Sequence, residues 1–245
     1  TSDTQERILM AGYRPTDLSI DLKQVGSPIS ADYGADPSKP ETTLQIPSAT
    51  VIDVVRNVWQ YTKRRANIYL VVDVSGSMEG SNIAQERLAL QTFLDQIQSD
   101  QERVGLILFS NNAYEAVPLT LVGEGRAELS TTFSQLTAGG NTALLDAVNL
   151  AFTKLADLGD RERINAIVAM TDGKENNSSI RLSQLTRKLE AQKDTDLPVV
   201  VFCIAYGRNA DYSALSAIAE ASGGFARQGD TETIQELYRI LSTYF

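Results

Sequence analysis

The sequence predicts an α/β protein built on an open, mostly parallel sheet, and two observations carry that expectation. Apolar, β-branched runs of strand length stand at Ile68–Val74, Val104–Phe109, Ile164–Met170 and Pro198–Ala205. Between and after them lie stretches with the helical period, at Ala84–Ile97, Ala143–Leu158, Ile180–Ala191 and Tyr212–Ala221, and a last one, Thr233–Thr243, ends the chain. The runs are apolar throughout rather than at every second residue, which means cover on both faces. Strand–helix alternation of this kind implies right-handed crossovers between parallel strands.

Taken in chain order, the first 65 residues differ from the rest. Pro15, Pro28, Pro37, Pro40 and Pro47, mixed with Gly12, Gly26 and Gly34, forbid long helices there and predict turns and extended pieces. The stretch "PSATVIDVVRNVWQYTKRR" then predicts one amphipathic helix. Ser48 is its cap, Val51, Ile52, Val55, Val58, Trp59 and Thr62 lie on one face, and Lys63, Arg64 and Arg65 close it where cations suit the helix dipole. The expected boundary falls between this extension, 1–65, and an α/β domain, 66–245. Within the domain, "AYEAVPLTLV" (Ala113–Val122) follows the second strand too soon for a helical crossover, so the two predict a hairpin. Pro118 puts that strand on an edge. "GFARQ" (Gly224–Gln228) predicts a short final strand.

Composition excludes several classes. A formal net charge of −9 argues against nucleic-acid or polybasic membrane-surface binding, and no apolar run approaches the roughly 20 residues of a membrane span. The chain has no histidine, so it holds no Ser-His-Asp or Cys-His arrangement and no His-ligated zinc. The lone cysteine, Cys203, sits in "LPVVVFCIAYG" and reads as a small core residue. Thr1 with no charged-then-apolar leader after it reads as a processed or excised piece.

In an open parallel sheet, ligands bind outside the carboxyl ends of the strands. The first strand ends in "DVSGSM", with Asp73, Ser75 and Ser77; the run Ile164–Met170 ends in "MTDGKEN", with Asp172; and "TAGGNTALLDAV" puts Thr142 at the mouth of a helix. Any one of these has a plain reading as a turn or a helix cap. Together they gather two carboxylates and three hydroxyls at one sheet edge with no soft donor, which suits Mg²⁺, Mn²⁺ or Ca²⁺. Asp146, one turn into its helix, is expected to bond within the surrounding loops and not to a metal.

These residues resemble a von Willebrand factor type A domain with its metal-ion-dependent adhesion site: an Asp-x-Ser-x-Ser motif at 73–77, a Thr from a second loop at 142 and an Asp from a third at 172. The resemblance covers about residues 66–245. It implies a doubly wound, Rossmann-like fold with a six-stranded sheet, one antiparallel edge strand and helices on both faces. It also implies direct binding of a divalent cation, Mg²⁺ foremost, by Ser75 and Ser77, with Thr142 direct or through water, and Asp73 and Asp172 acting mainly through water. A partner protein's acidic side chain would complete the coordination. Ser110, Asn111, Asn112, Asn141, Lys174, Glu175 and Asn176 form the expected rim for that partner. In some relatives movement of the last helix couples to the metal, and "TETIQELYRILSTYF" ends this chain.

The extension resembles the closing segment of a bacterial type 2 extracellular solute-binding domain, through "AGYRPTD", "ADYGADPSKP" and "VVRNVWQYTKRRAN". That likeness implies an exported, bacterial parent and an extracytoplasmic location. The function expected is a metal-dependent protein-binding module and not an enzyme. The alternatives are a Mg²⁺-dependent phosphohydrolase, which would want Asp-x-Asp where Ser75 stands second, and a scaffold whose metal site is unused.

Overall fold

The computed structural model describes residues 2–17, 19–38, 48, 51–52, 54, 64–206 and 210–229. The chain divides into two compact units, Thr1–Thr62 and Lys63–Phe245. In the first, helix α1 spans Ser2–Met10, ahead of the first proline, and a 3₁₀ turn spans Ala31–Tyr33. The rest of its described backbone is held by tight turns, such as Asp17 Oδ1 accepting from Ser19 N at 3.0 Å and Asp36 Oδ1 accepting from Ser38 N at 2.9 Å. The short helix α1 was not expected from the sequence. Of the helix expected over 48–65, Ser48 O accepts from Ile52 N at 3.0 Å, and most of the remainder lies outside the described residues. The last helix, 233–243, lies outside them entirely.

The second unit runs β1 (Ala66–Asp73), α2 (Ser81–Gln96), β2 (Arg103–Phe109), β3 (Ala113–Leu121), α3 (Val122–Ser134), α4 (Leu144–Leu158), β4 (Ile164–Thr171), α5 (Leu182–Lys193), β5 (Val199–Tyr206), α6 (Tyr212–Ser222) and β6 (Ala226–Gly229). The six strands form one sheet in the order β3-β2-β1-β4-β5-β6. Every pairing is parallel except β2 with β3, so the expected hairpin and the edge position of the Pro118 strand are both present. Val71 pairs with Ile107 on one side and Ala169 on the other. The chain adds β2 on one side of β1 and later β4 on the other, which makes the β1/β4 boundary the switch point where a ligand crevice opens.

Period-two alternation sorts the strand side chains into two cores. Ile68, Leu70 and Val72 of β1 face a layer with Leu90, Phe93 and Leu94 of α2 and Leu129 and Phe133 of α3. Tyr69 and Val71 face the opposite layer, with Val148, Ala151 and Phe152 of α4, Leu185 of α5 and Ile218 of α6. Residues of both sets in β1 are buried, which is why Ile68–Val72 is an unbroken apolar run. The Tyr69 ring packs against Gly105, where an added Cβ would come within 2.4 Å of it. Its hydroxyl donates to Glu115 at 2.6 Å, and Lys154 pairs with the same carboxylate at 2.7 Å.

Helix α3 was not expected. Gly123 and Gly125 in its first turn, and Ser130, Thr131 and Thr132 near its end, hide the helical period. The glycines are there for contact: a Cβ on Gly125 would lie 2.2 Å from the Thr120 methyl. Thr131 and Thr132 turn their hydroxyls back onto Ala127 O and Glu128 O, each at 2.8 Å, so they do not compete with the helix. Among the described residues, no helix is long and apolar enough to cross a membrane.

Candidate metal centre

Strand β1 ends on Asp73, whose side chain is fully buried. Its Oδ1 accepts from Ser75 N at 2.8 Å, and its Oδ2 accepts the Thr171 hydroxyl at the end of neighbouring β4. The chain then turns through a 3₁₀ segment, Gly76–Met78, before α2, and this short arc brings Ser75 Oγ within 3.0 Å of Ser77 Oγ. Ser77 Oγ donates to Asp172 Oδ1 at 2.6 Å, joining the first loop to the loop after β4.

The loop before α4 is tied to both. Gly76 N donates to Gly140 O at 3.0 Å, and Gly139 N to Val74 O at 2.8 Å. Thr142 N donates to Asn176 Oδ1 at 2.9 Å, and Thr142 O accepts from Asn176 N at 3.1 Å. Gly173 shows how closely the donors gather: a Cβ there would stand 3.1 Å from Thr142 Oγ1 and 3.2 Å from Ser77 Oγ. The absence of a side chain at 173 keeps that space open.

The result is a cleft of about 360 Å³ at the carboxyl ends of the strands, lined by Ser75, Ser77, Gly140, Thr142, Asp172, Gly173, Lys174 and Asn176. Four of the five residues expected to serve a metal therefore share its wall, and Asp73 lies beneath the floor. Ser75, Thr142 and Asp172 are 1%, 4% and 6% exposed, so their donors are fixed by packing, whereas Ser77 is exposed. Among the described residues no group of three or more His, Cys, Asp or Glu side chains is gathered for a metal. The donor set is two carboxylates and three hydroxyls, all hard oxygens, and it fits a divalent cation of the Mg²⁺ or Ca²⁺ type.

Burial pushes the Asp73 carboxyl up to about 6; hydrogen bonds from Ser75 and Thr171 oppose the rise, and the nearby Asp172 charge adds to it. A carboxylate in such surroundings lacks a countercharge, which a dication above it would supply.

The rim residues divide. Lys174 is exposed at the cleft mouth. Asn111 Oδ1 accepts from Asn141 N at 2.9 Å, and Ser110 O from Ala143 N at 3.0 Å, so Ser110, Asn111 and Asn141 form one stitched edge. Glu175 turns inward: its two oxygens accept from Leu145 N at 3.0 Å, Ser178 N at 2.6 Å and Asn177 N at 2.9 Å, bracing the start of α4 against the neighbouring loop. Asp146 accepts from Ser179 N at 2.8 Å and Ile180 N at 3.2 Å, bonded within the loops as expected.

Sequence reading missed Thr171 and Asn82. Thr171 stands directly before Asp172, and a hydroxyl ending a strand whose neighbour ends in a buried Asp is the signal that pointed to it. Thr171→Val keeps the shape but leaves Asp73 Oδ2 and Gly173 N, which donates to Thr171 Oγ1 at 3.1 Å, without that partner. The expected cost is about 1–3 kcal/mol in urea unfolding of the metal-free chain.

A family model described as von Willebrand factor type A domain matches residues 67–239. Inter-alpha-trypsin inhibitor heavy chain H4 of Sus scrofa is 27% identical over 168 residues, which cover 66% of this chain but only 18% of that protein. The solved structure of a von Willebrand factor type A protein from Catenulispora acidiphila superposes with a TM-score of 0.63 at 21% identity, covering 73% of this chain and 42% of that one. Proximal thread matrix protein 1 from the mussel byssus, solved with a zinc-occupied MIDAS motif, gives 0.61 at 17% identity, covering 74% of this chain and 48% of that one.

Proposed function

The chain belongs to the von Willebrand factor type A domain family, and from that premise we propose that it is a metal-dependent protein-binding module. The cleft at the carboxyl ends of β1 and β4 would hold one divalent cation, Mg²⁺ foremost, and capture an acidic side chain of a partner protein. Ser75, Ser77 and Thr142 would hold the ion through their hydroxyls, and Asp73 and Asp172 would act through water and by orienting those hydroxyls. When bound, the ion supplies a Lewis-acidic position that attracts an anionic oxygen.

The observation that carries this reading is the convergence of three separate loops on one oxygen-lined cleft at the sheet's switch point. The chain's own residues prepare the cleft. Both carboxylates have their oxygens engaged by hydrogen bonds, so the hydroxyls are the donors left facing the opening. The stitched loops fix those hydroxyls without a further ordering cost. Lys174 at the mouth would favour an incoming carboxylate. The zinc-bearing site of the byssus protein supports the metal assignment by likeness of fold.

A phosphohydrolase is not favoured: its second carboxylate is absent because Ser75 occupies that place, and Lys174 stands exposed at the rim. An extracytoplasmic setting is part of the proposal, in keeping with the byssus matrix protein.

Calorimetric titration of the folded chain with Mg²⁺, Mn²⁺ and Ca²⁺ tests the function. Saturable one-site heat with at least one ion, abolished by chelator, is expected. Flat titrations with all three on folded protein would reject it.

A further inference from the structure

We propose that Asn82 is a positioning residue that withholds Asp172 from direct coordination and so sets both the cation affinity and the demand for a partner's carboxylate. This deepens the function proposed above and rests on it.

Asn82 lies in the first turn of α2 and is half-buried. Its Nδ2 donates to Asp172 Oδ2 at 2.7 Å and to Ser77 O at 3.2 Å, while Ser77 Oγ donates to Asp172 Oδ1 at 2.6 Å. One short stretch of chain, 77–82, thus engages both oxygens of a carboxylate some ninety residues away. Asp73 is held the same way, by Ser75 N on Oδ1 and the Thr171 hydroxyl on Oδ2. Each of the four carboxylate oxygens at this centre meets a donor.

The two clamps differ in kind. Asp73 lies beneath the cleft floor, and its donors come from a buried backbone amide and a buried hydroxyl. Asp172 lines the cleft itself, so a carboxylate released by Asn82 would be free to turn an anionic oxygen toward the space a cation would enter. A hard cation takes such an oxygen in preference to a neutral hydroxyl or water. Ser77, by contrast, gives its proton to Asp172 and is left with lone pairs for the opening. The amide of Asn82 therefore keeps negative charge one step away from the ion, which leaves the ion less neutralised and its remaining position more attractive to an external carboxylate. Asn82 rides on a sixteen-residue helix packed by Ile83, Leu90 and Phe93, so the amide is held by a rigid element rather than by a loop.

A merely orienting role predicts the opposite sign for the metal. Loss of an outer partner that only aims a ligand lowers metal affinity by about 10–100-fold, whereas loss of a withholding partner raises it.

The test uses the full chain, prepared metal-free, as the unaltered protein and as Asn82→Ala, Asn82→Ser and Asn82→Gln. Ala and Ser cannot reach Asp172, and Ser also suits the start of a helix; Gln keeps the amide. Mn²⁺ affinity is read by calorimetry, and water-proton relaxation reports the exchangeable waters on bound Mn²⁺. Acetate serves as the carboxylate probe that displaces them. Asn82→Ala and Asn82→Ser are expected to bind Mn²⁺ about tenfold more tightly, as expected when one charge-assisted hydrogen bond no longer competes. They should also show lower relaxation enhancement and bind acetate about tenfold more weakly. Asn82→Gln should stay near the unaltered chain. Equal or weaker Mn²⁺ binding in the Ala and Ser variants, with unchanged relaxation, overturns the role of Asn82 and leaves the metal module standing. Absence of any Mn²⁺ binding by the unaltered chain overturns the module, and the role of Asn82 with it.

Discussion

Asp73→Asn is expected to weaken divalent-cation binding by about 100-fold while leaving the metal-free fold as stable or more stable. The two effects have one cause. Asp73 is fully buried, and burial holds its carboxyl up at about 6, above its ordinary 3.8, in spite of the Ser75 and Thr171 hydrogen bonds. Because the folded value lies above the unfolded one, folding takes up a proton between about pH 4 and 6. The stability this group contributes is complete below the unfolded value and is lost as pH rises through about 6. Above that, the metal-free chain carries a buried anion at a cost on the order of 1–3 kcal/mol, and a dication repays it.

Asparagine keeps an acceptor for Ser75 N and removes the charge, so the cost and the attraction disappear together. In chelator at pH 7.5 the variant should therefore unfold at equal or higher urea, and the difference should fade toward pH 5. Thr142→Ala makes the contrast. It removes one neutral donor, so metal affinity should fall by about 10–100-fold with no such pH-dependent gain in the metal-free state. Unchanged Mn²⁺ affinity in Asp73→Asn would show that this carboxylate does not serve the cation at all.

The fold was legible because burial on both faces writes itself into the sequence. Runs such as Ile68–Val74 and Ile164–Met170 are continuous because residues of both parities meet a helical layer. The cleft was legible because Ser75, Ser77 and Asp172 follow strands directly and Thr142 opens a helix beside them, at the place where a parallel sheet exposes its loops. What escaped reading depended on contacts between distant segments. Helix α3 is built on two glycines whose purpose, close approach to Thr120 and Asp100, is visible only once β3 lies beside it. Asn82 looks like any polar residue at the start of a helix until Asp172 arrives beside it. Glu175 shows the reverse case: an acid beside the motif suggests a surface for partners, and only the structure shows that its oxygens also brace the loop by accepting from the backbone amides of Leu145, Asn177 and Ser178.

Gly224→Ala is expected to cost about 3 kcal/mol or more of folding stability, since among the described glycines an added Cβ would make its closest approach here. The reason lies in how the chain returns to the sheet after α6. Gly223 ends the helix in the left-handed region, at a φ of 81°, and Gly224 N then donates to Ala219 O at 2.9 Å. Phe225 O accepts from Cys203 N at 3.1 Å, which opens the pairing of β6 with β5. A Cβ on Gly224 would lie 2.0 Å from Val201 O and 2.9 Å from Val201 C, both backbone atoms.

Val201 cannot withdraw. It pairs with Ile167 on the far side, and its N–H donates to Ser222 Oγ at 2.8 Å. The strain must therefore move β6 and the end of α6, whose Ile218 and Ala219 are fully buried. Gly223→Ala is the proper control, because its penalty is conformational: a Cβ there meets only the flexible end of Lys193, at 3.2 Å. About 1–2 kcal/mol is expected for it. The ordering matters more than either value. Urea unfolding of both variants should rank Gly224→Ala well below Gly223→Ala, and the reverse order would mean that the turn's backbone conformation, rather than its contact with β5, limits the residue at this junction. Mn²⁺ affinity of the folded fraction should be unchanged in both, since the displaced edge is β6 while the candidate metal cleft opens at the β1/β4 boundary.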